Sequence, residues 1–295
     1  MNKAFEHFSS CEFEEGLAGL EKDSRWRDPR LDLAGPFSLC VPGAKGWGEQ
    51  LMLASLIKRH ACSSKTVTEV FVAESVRWIL KHETGIRPQA LVDSRNTRSP
   101  LAILRHALRG SLLNSPFVPI AVPAATSLPA VVQRPRIGVA WASISNEKVV
   151  LEKSVPVDNF LKAMNGLNAD LVCLQRRLDI ADPDNSRLRV SIAEFVDDEV
   201  LDAKTEANAD ELVSVIQQLD LLVTVSTTTT HLAAAMGKQV ELMAMARSGH
   251  QWFWCAQAKC KRQIYPTVRV HLGTATKNDW WEGPLSEIER SNFAR

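Results

Sequence analysis

Apolar residues along this chain fall into short strand-length runs, separated by stretches whose apolar positions recur at helical spacing. The first such series predicts a strand at Phe37–Val41, a glycine-bearing loop over 42–48 and a helix from about 49 to 60. It continues with a strand at Val67–Ala73, a helix at Glu74–His82, a short strand at Gln89–Val92, a basic helix at Leu101–Leu108 and an apolar strand at Phe117–Val122. A second series opens with a strand over Arg136–Ala142, a loop to Ser154 and a helix from Pro156 to Leu167, where proline suits a first turn. A strand at Leu171–Gln175 follows, then a helix at Ala209–Leu219 with apolar residues at 212, 213, 216 and 219. Next come a strand at Leu221–Val225, a small-residue helix, a strand at Gln239–Met245, a tryptophan-rich stretch at 249–260 and a last strand at Val268–Leu272. Strands alternating with helices of about ten residues imply an α/β protein with parallel sheets.

Between the two series, the stretch Pro116–Pro135 carries five prolines among alanines and few charges, as a linker between domains would. The expected organisation is a polar N-terminal arm or small helical cap over 1–34 and a first Rossmann-like domain over 35–132. A second such domain covers 133–282, and a C-terminal helix covers 283–295. The two domains are expected to face one another across a cleft.

The chain has 295 residues, enough for two such domains. A net charge of +1 gives no overall attraction to nucleic acid or to an anionic membrane, so any phosphate chemistry must come from a local site. No apolar run reaches the length of a membrane span. Residues 1–15 carry four glutamates and no apolar core, unlike a secretory signal. The expectation is a cytoplasmic protein with no nucleic-acid partner and, at most, peripheral membrane contact. Six scattered cysteines (11, 40, 62, 173, 255 and 260) are expected to be free thiols in a reducing compartment. Cys255 and Cys260 lack a second ligand pair, which argues against zinc.

The most informative stretch is residues 221–237. Five apolar or β-branched residues (Leu221–Val225) run into five hydroxyls (Ser226, Thr227, Thr228, Thr229, Thr230), then His231-Leu232-Ala233-Ala234-Ala235-Met236-Gly237. This pattern puts a helix N-terminus just beyond the carboxyl end of a strand. There, exposed N–H groups and the helix dipole favour an anion. In open α/β sheets it is also where ligands bind. A plain helix cap needs one hydroxyl, not five.

The second half resembles the C-terminal domain of the heptosyltransferase-like glycosyltransferases of GT-B fold, including bacterial forms that follow tetratricopeptide repeats. The resemblance rests on Asp220 through Lys238, on Arg136-Ile137-Gly138-Val139-Ala140-Trp141-Ala142 and on Lys153-Ser154-Val155-Pro156. His250-Gln251-Trp252-Phe253-Trp254 and Ile264-Tyr265-Pro266-Thr267-Val268-Arg269 are similar to downstream segments of that family. In the first half, Gly46-Trp47-Gly48-Glu49-Gln50 resembles its Gly-x-Gly-Asp-Gln loop. It implies an inverting glycosyltransferase that uses a nucleotide-sugar donor. Two departures stand out: Ser226 and Glu49 occupy positions where the family often has an aspartate.

The expected chemistry follows. A leaving nucleoside diphosphate needs its charge stabilised, and no Asp-x-Asp pair lies near a strand end; Asp182-Pro183-Asp184 reads as a turn. Stabilisation is therefore expected without metal or other cofactor, from the N–H groups of Thr228–Thr230, the helix dipole and a cation. Lys153 is the first candidate for that cation and Lys148 the second. Thr227, His231, Trp141 and Ser143 complete the expected donor site, with Trp141, Trp252 and Trp254 as either stacking surfaces or buried core. Glu49 is the candidate base, or else a first-turn charge that favours the helix dipole. Gly46, Gly48 and Gln50 form the expected acceptor-side loop. The acceptor, a glycan, lipid or protein, is not readable from the sequence. Two other readings stay open: a non-catalytic protein binding a nucleotide sugar or a partner, and a sugar-nucleotide epimerase or hydrolase.

Overall fold

A computed structural model describes residues 3–23, 26, 33, 36–40, 46–90, 99–109, 113–123, 134–143, 153–176, 194–246, 251–260, 263–274 and 279–293. The chain divides into two compact units. One comprises residues 1–123, 235–237 and 249–266; the other comprises 124–234, 238–248 and 267–295.

The first unit holds a three-stranded parallel sheet of β1 (Phe37–Ser38), β2 (Thr68–Val72) and β3 (Ile86–Ala90), in that spatial order. Helix α3 (Trp47–Ser64) connects β1 to β2, and α4 (Glu74–Ile79) connects β2 to β3. Leu51–Ile57 of α3 is buried without a break, so this helix is core on nearly every face rather than amphipathic. Helix α5 (Leu101–Leu108) is buried along most of its length, and Arg105 reaches Glu21 at 2.8 Å.

Within residues 1–34, read as a polar arm or a small helical cap, the described part is mainly helical. Helices α1 (Lys3–Ser9) and α2 (Phe13–Glu21) bury Phe8, Leu17 and Leu20 within the first unit. Phe5 and Phe8 lie against Trp252 of helix α10 (Trp252–Cys260), with ring centroids 6.2 and 5.1 Å apart. The tryptophan-rich stretch therefore belongs to the first unit, not to the second domain as its position in the sequence suggested. Its aromatic rings need a hydrophobic partner, and the first two helices supply one. Cys11 and Cys260 are joined as a disulfide, with Cα atoms 6.2 Å apart. This corrects the expectation of six free thiols: two residues 249 positions apart are brought together only by this packing.

Residues 116–123 are extended but join no strand, contrary to the expectation at Phe117–Val122. Pro116, Pro119 and Pro123 lack the N–H that a regular ladder requires. The segment is held instead by Lys58 and Glu83. Lys58 Nζ donates to the Pro119 carbonyl at 2.6 Å and to Glu83 Oε1 at 2.9 Å, while the Ala121 N–H donates to Glu83.

The second unit is a six-stranded, wholly parallel sheet. Its strands are β4 (Arg136–Ala140), β5 (Asp170–Cys173), β6 (Glu194–Phe195), β7 (Leu221–Val225), β8 (Val240–Met245) and β9 (Val268–Gly273). Their spatial order is β6-β5-β4-β7-β8-β9. Numbered from β4, this is the 3-2-1-4-5-6 order of a dinucleotide-binding sheet, with its direction of growth reversing between β4 and β7. A β-carbon at Gly138 would lie 2.6 Å from Leu219 and 3.1 Å from Leu222, so glycine permits the close packing around β4. Helices α6 (Val157–Met164), α7 (Asp198–Leu201), α8 (Glu206–Gln217), α9 (Thr228–Ala235) and α11 (Glu282–Phe293) complete the described elements. The short β6–α7 step carries too few residues for a periodic signal and was not predicted.

Candidate functional site

The β7–α9 turn lies at the carboxyl end of one of the two strands that flank the reversal point, where open α/β sheets bind ligands. Thr227 precedes the helix and caps it. The Thr230 N–H donates to Thr227 Oγ1 at 3.2 Å, and the Thr227 N–H donates to Thr230 Oγ1 at the same distance. The buried Thr230 hydroxyl also donates to the Val225 carbonyl at 2.7 Å, tying the cap to the end of β7. Two of the five hydroxyls are thus spent on architecture. What the cap leaves to a ligand is the N–H of Thr228 and of Thr229, first in the helix and without intrahelical acceptors. The positive end of the helix dipole points the same way.

His231 follows within the first turn and is almost wholly buried. Burial, and secondarily the nearby positive charge of Lys153, depress its pKa to about 3. His231 is therefore a neutral imidazole at physiological pH. It can exchange hydrogen bonds but cannot act as a cation towards phosphate. The same effect puts the half-buried Lys153 within electrostatic reach of His231.

Ser143 and Lys153 belong to segments that run side by side beyond β4. The Val155 N–H donates to the Trp141 carbonyl at 2.8 Å, and the Ser143 N–H approaches Ser154 Oγ at 3.4 Å. Gln175, at the end of β5, holds this corner together: its buried Oε1 accepts from the N–H groups of Trp141 (3.1 Å) and Ala142 (2.8 Å). Sequence reasoning passed over Gln175, whose only signal was a polar residue closing an apolar strand. Trp141 is not available as a stacking surface. Its ring is buried in the core against Phe160, with centroids 5.8 Å apart, and Trp252 and Trp254 are likewise core. Lys148, Asp182, Asp184 and His250 lie outside the described residues.

In the first unit, Gly46 caps α3, and Gly48 and Glu49 occupy its first turn. The Glu49 carboxylate folds back over Gly46; a β-carbon there would lie 2.7 Å from Glu49 Oε2. An acidic residue at the third helical position is the half of a capping box that reaches back toward the N-cap; Gly46, without a side chain, cannot supply the other half. Gln50 is buried, and its Oε1 accepts the Ala73 N–H at 2.8 Å, fixing the start of α4. Tyr265, which sequence analysis noted only as part of a segment, is fully buried. It is hydrogen-bonded to Ser55 and lies within electrostatic reach of Arg59 and Glu49. Burial raises its phenol pKa far above the ordinary value, and the Glu49 charge adds to this. Arg59, its pKa lowered to about 10 by burial, donates to the carbonyls of Gln263 (3.1 Å) and Ile264 (2.7 Å).

Two solved structures share this architecture across most of their length. One is the family 9 glycosyl transferase from Veillonella parvula DSM 2008: 11% identity, 83% of this chain and 92% of that chain covered, TM-score 0.51. The other is the ADP-heptose LPS heptosyltransferase II of E. coli: 13% identity, 85% of this chain and 96% of that one, TM-score 0.50. The fold is that of the GT-B glycosyltransferases. No family model matches the sequence, and no curated protein matches it. No described helix is long and apolar enough to cross a membrane.

Proposed function

We propose that this chain is a glycosyltransferase. It moves a sugar from a nucleotide-sugar donor to an acceptor hydroxyl or amide, inverts the anomeric centre and needs no divalent metal. The observation that carries the reading is the reciprocally capped turn at Thr227–Thr230, at the reversal point of a 3-2-1-4-5-6 sheet, with Lys153 within electrostatic reach of His231. The donor diphosphate sits against the Thr228 and Thr229 N–H groups, with Lys153 as its counter-charge and Ser143 and neutral His231 as polar neighbours. As the anomeric C–O bond breaks, the nucleoside diphosphate leaves with the electron pair, and the preorganised amides and cation stabilise that charge. Glu49 of the first unit is assigned as the base that takes the acceptor proton, with Gly46 and Gly48 leaving room for the acceptor at the start of α3. A cytoplasmic location is part of this reading, and the Cys11–Cys260 bridge counts against it.

Because a structural neighbour is named for ADP-heptose, ADP-linked sugars head the set of donors to test. Calorimetric titration with ADP, UDP, GDP and CMP sugars, each with and without EDTA, decides the reading. Micromolar binding of one nucleotide class that survives the chelator is the expected result. Absence of binding to all four overturns the donor site, and loss with EDTA overturns metal independence.

A second reading has its own support: a non-catalytic nucleotide-sugar binder. Its basis is the Glu49 carboxylate folded over Gly46 as a helix cap, together with Ser226 where the resemblance leads one to expect an acid. Donor binding without transfer to any acceptor favours it.

A further inference from the structure

The Cys11–Cys260 bridge stands apart from the candidate site and poses its own question. It joins the turn between α1 and α2 to the last residue of α10. Both cysteines are half-buried rather than sealed in the core. A bridge that a small thiol can reach exchanges with the surrounding thiol pool.

Other contacts tie the same elements together beside the bridge. Phe5 and Phe8 lie against Trp252, Lys259 Nζ donates to the Ser9 carbonyl at 3.1 Å, and Arg105 and Arg109 hold Glu21 and Glu14. These contacts do not depend covalently on the bridge. Its effect runs along α10. One turn before Cys260, Gln257 exchanges two hydrogen bonds with the Tyr265 backbone, at 2.9 and 3.0 Å, and the Tyr265 phenol bonds Ser55 of α3. The C-terminal end of α10 thus anchors both the first two helices and the segment that braces α3.

We propose that Cys11 and Cys260 form a reversible thiol–disulfide latch, which clamps α1 and α2 onto α10 when closed. Closure converts two protein thiols and one glutathione disulfide into the protein disulfide and two glutathiones. Two electrons and two protons pass to the glutathione pair, by way of a mixed disulfide.

The full chain is equilibrated in glutathione buffers from fully reduced to mainly oxidised. Free thiols are then blocked, and the peptides containing Cys11 and Cys260 are quantified by mass spectrometry, with limited trypsin cleavage after Lys22 read in parallel. The expected result is a single transition between buffers, with cleavage several-fold faster on the reduced side. Cys260→Ser should cleave at the reduced rate in every buffer. A pair that stays bonded in the most reducing buffer is a permanent staple and overturns the proposal, as does a pair that never bonds. Equal cleavage rates in both states overturn the clamp. Should Cys260→Ser fail to fold, wild-type protein reduced and alkylated at both cysteines supplies the open state.

Discussion

Thr227 and Thr230 cap each other at the start of α9, each hydroxyl accepting the other residue's N–H at 3.2 Å. This pair separates two roles that the run of hydroxyls left mixed. The Thr227 and Thr230 hydroxyls build the turn, and the Thr228 and Thr229 N–H groups beside them are the ones proposed to meet the donor. Thr228 is the first residue of the helix, a position that tolerates proline, and Thr228→Pro deletes one N–H without breaking the helix. Hydrogen bonds to charged groups contribute roughly 1.5–3 kcal/mol, so the expected loss of diphosphate affinity is about 10- to 100-fold. Calorimetry checks this, with far-ultraviolet dichroism confirming the fold. Thr230→Val, by contrast, should cost about 1 kcal/mol of stability or more through the lost cap and the orphaned N–H of Thr227. Undiminished affinity in Thr228→Pro would remove the amide assignment.

Lys58 of α3 and Glu83 are an ion pair with side chains 5% and 0% exposed, and both bond the backbone of residues 119–121. Removing one partner of such a pair leaves an uncompensated buried charge, which costs about 3–5 kcal/mol. Lys58→Met should therefore lower the denaturation midpoint strongly. The double variant Lys58→Met/Glu83→Leu should recover much of the loss, since no charge is left buried. A double variant as unstable as the single one would show that the hydrogen bonds to Pro119 and Ala121, not the charge balance, dominate.

His271 in β9 is buried between Glu241 of β8 (2.5 Å from Nε2) and Glu287 of α11 (3.0 Å from Nδ1). Burial opposes its protonation, but the two carboxylates outweigh that and raise its pKa. A raised pKa in the folded state gives stability that is fully present below the unfolded value of about 6.5. That stability is lost as pH rises through the folded value. Glu287, held low by hydrogen bonding to His271, loses its contribution at the other end, as pH falls below the ordinary carboxylate range. The melting temperature should thus decline on the alkaline side of pH 6.5, and His271→Gln should flatten that decline. A wild-type profile that is flat from pH 6 to 9 would overturn the assignment.

Legibility in the sequence tracked how local the causes were. Leu221–Val225 was read to the residue because a buried parallel strand is a bare apolar run bounded by its cap. The hydroxyl cluster gave the place of the candidate site, yet not that Thr227 and Thr230 consume each other's capacity, which is a matter of geometry within one turn. The affiliation of residues 251–260 could not be read, because Trp252 finds Phe5 and Phe8 across nearly the whole length of the chain. The Cys11–Cys260 bridge was hidden for the same reason. Trp141 stayed open between core and stacking surface because a tryptophan at a strand end serves both equally well until its neighbour, Phe160, is in place.

Glu49 decides between an enzyme and a binder. Its carboxylate lies over Gly46 at the start of α3, and it contributes to the field around the buried Tyr265 phenol. A capping carboxylate and a proton-accepting carboxylate occupy the same place, so a variant must keep the cap while losing the base. Glu49→Gln does this: glutamine serves at the third helical position of a capping box but does not accept a proton at neutral pH. If Glu49 is the base, transfer should fall by ~10²–10⁴-fold with donor affinity nearly unchanged. If it is only a cap, transfer and melting temperature should both stay close to those of the wild type. Glu49→Ala then supplies the control, since it removes both functions and should lower stability in either case. A transfer rate that survives Glu49→Gln, measured with the donor identified by calorimetry, would remove the base from Glu49 and leave it as the helix-start charge.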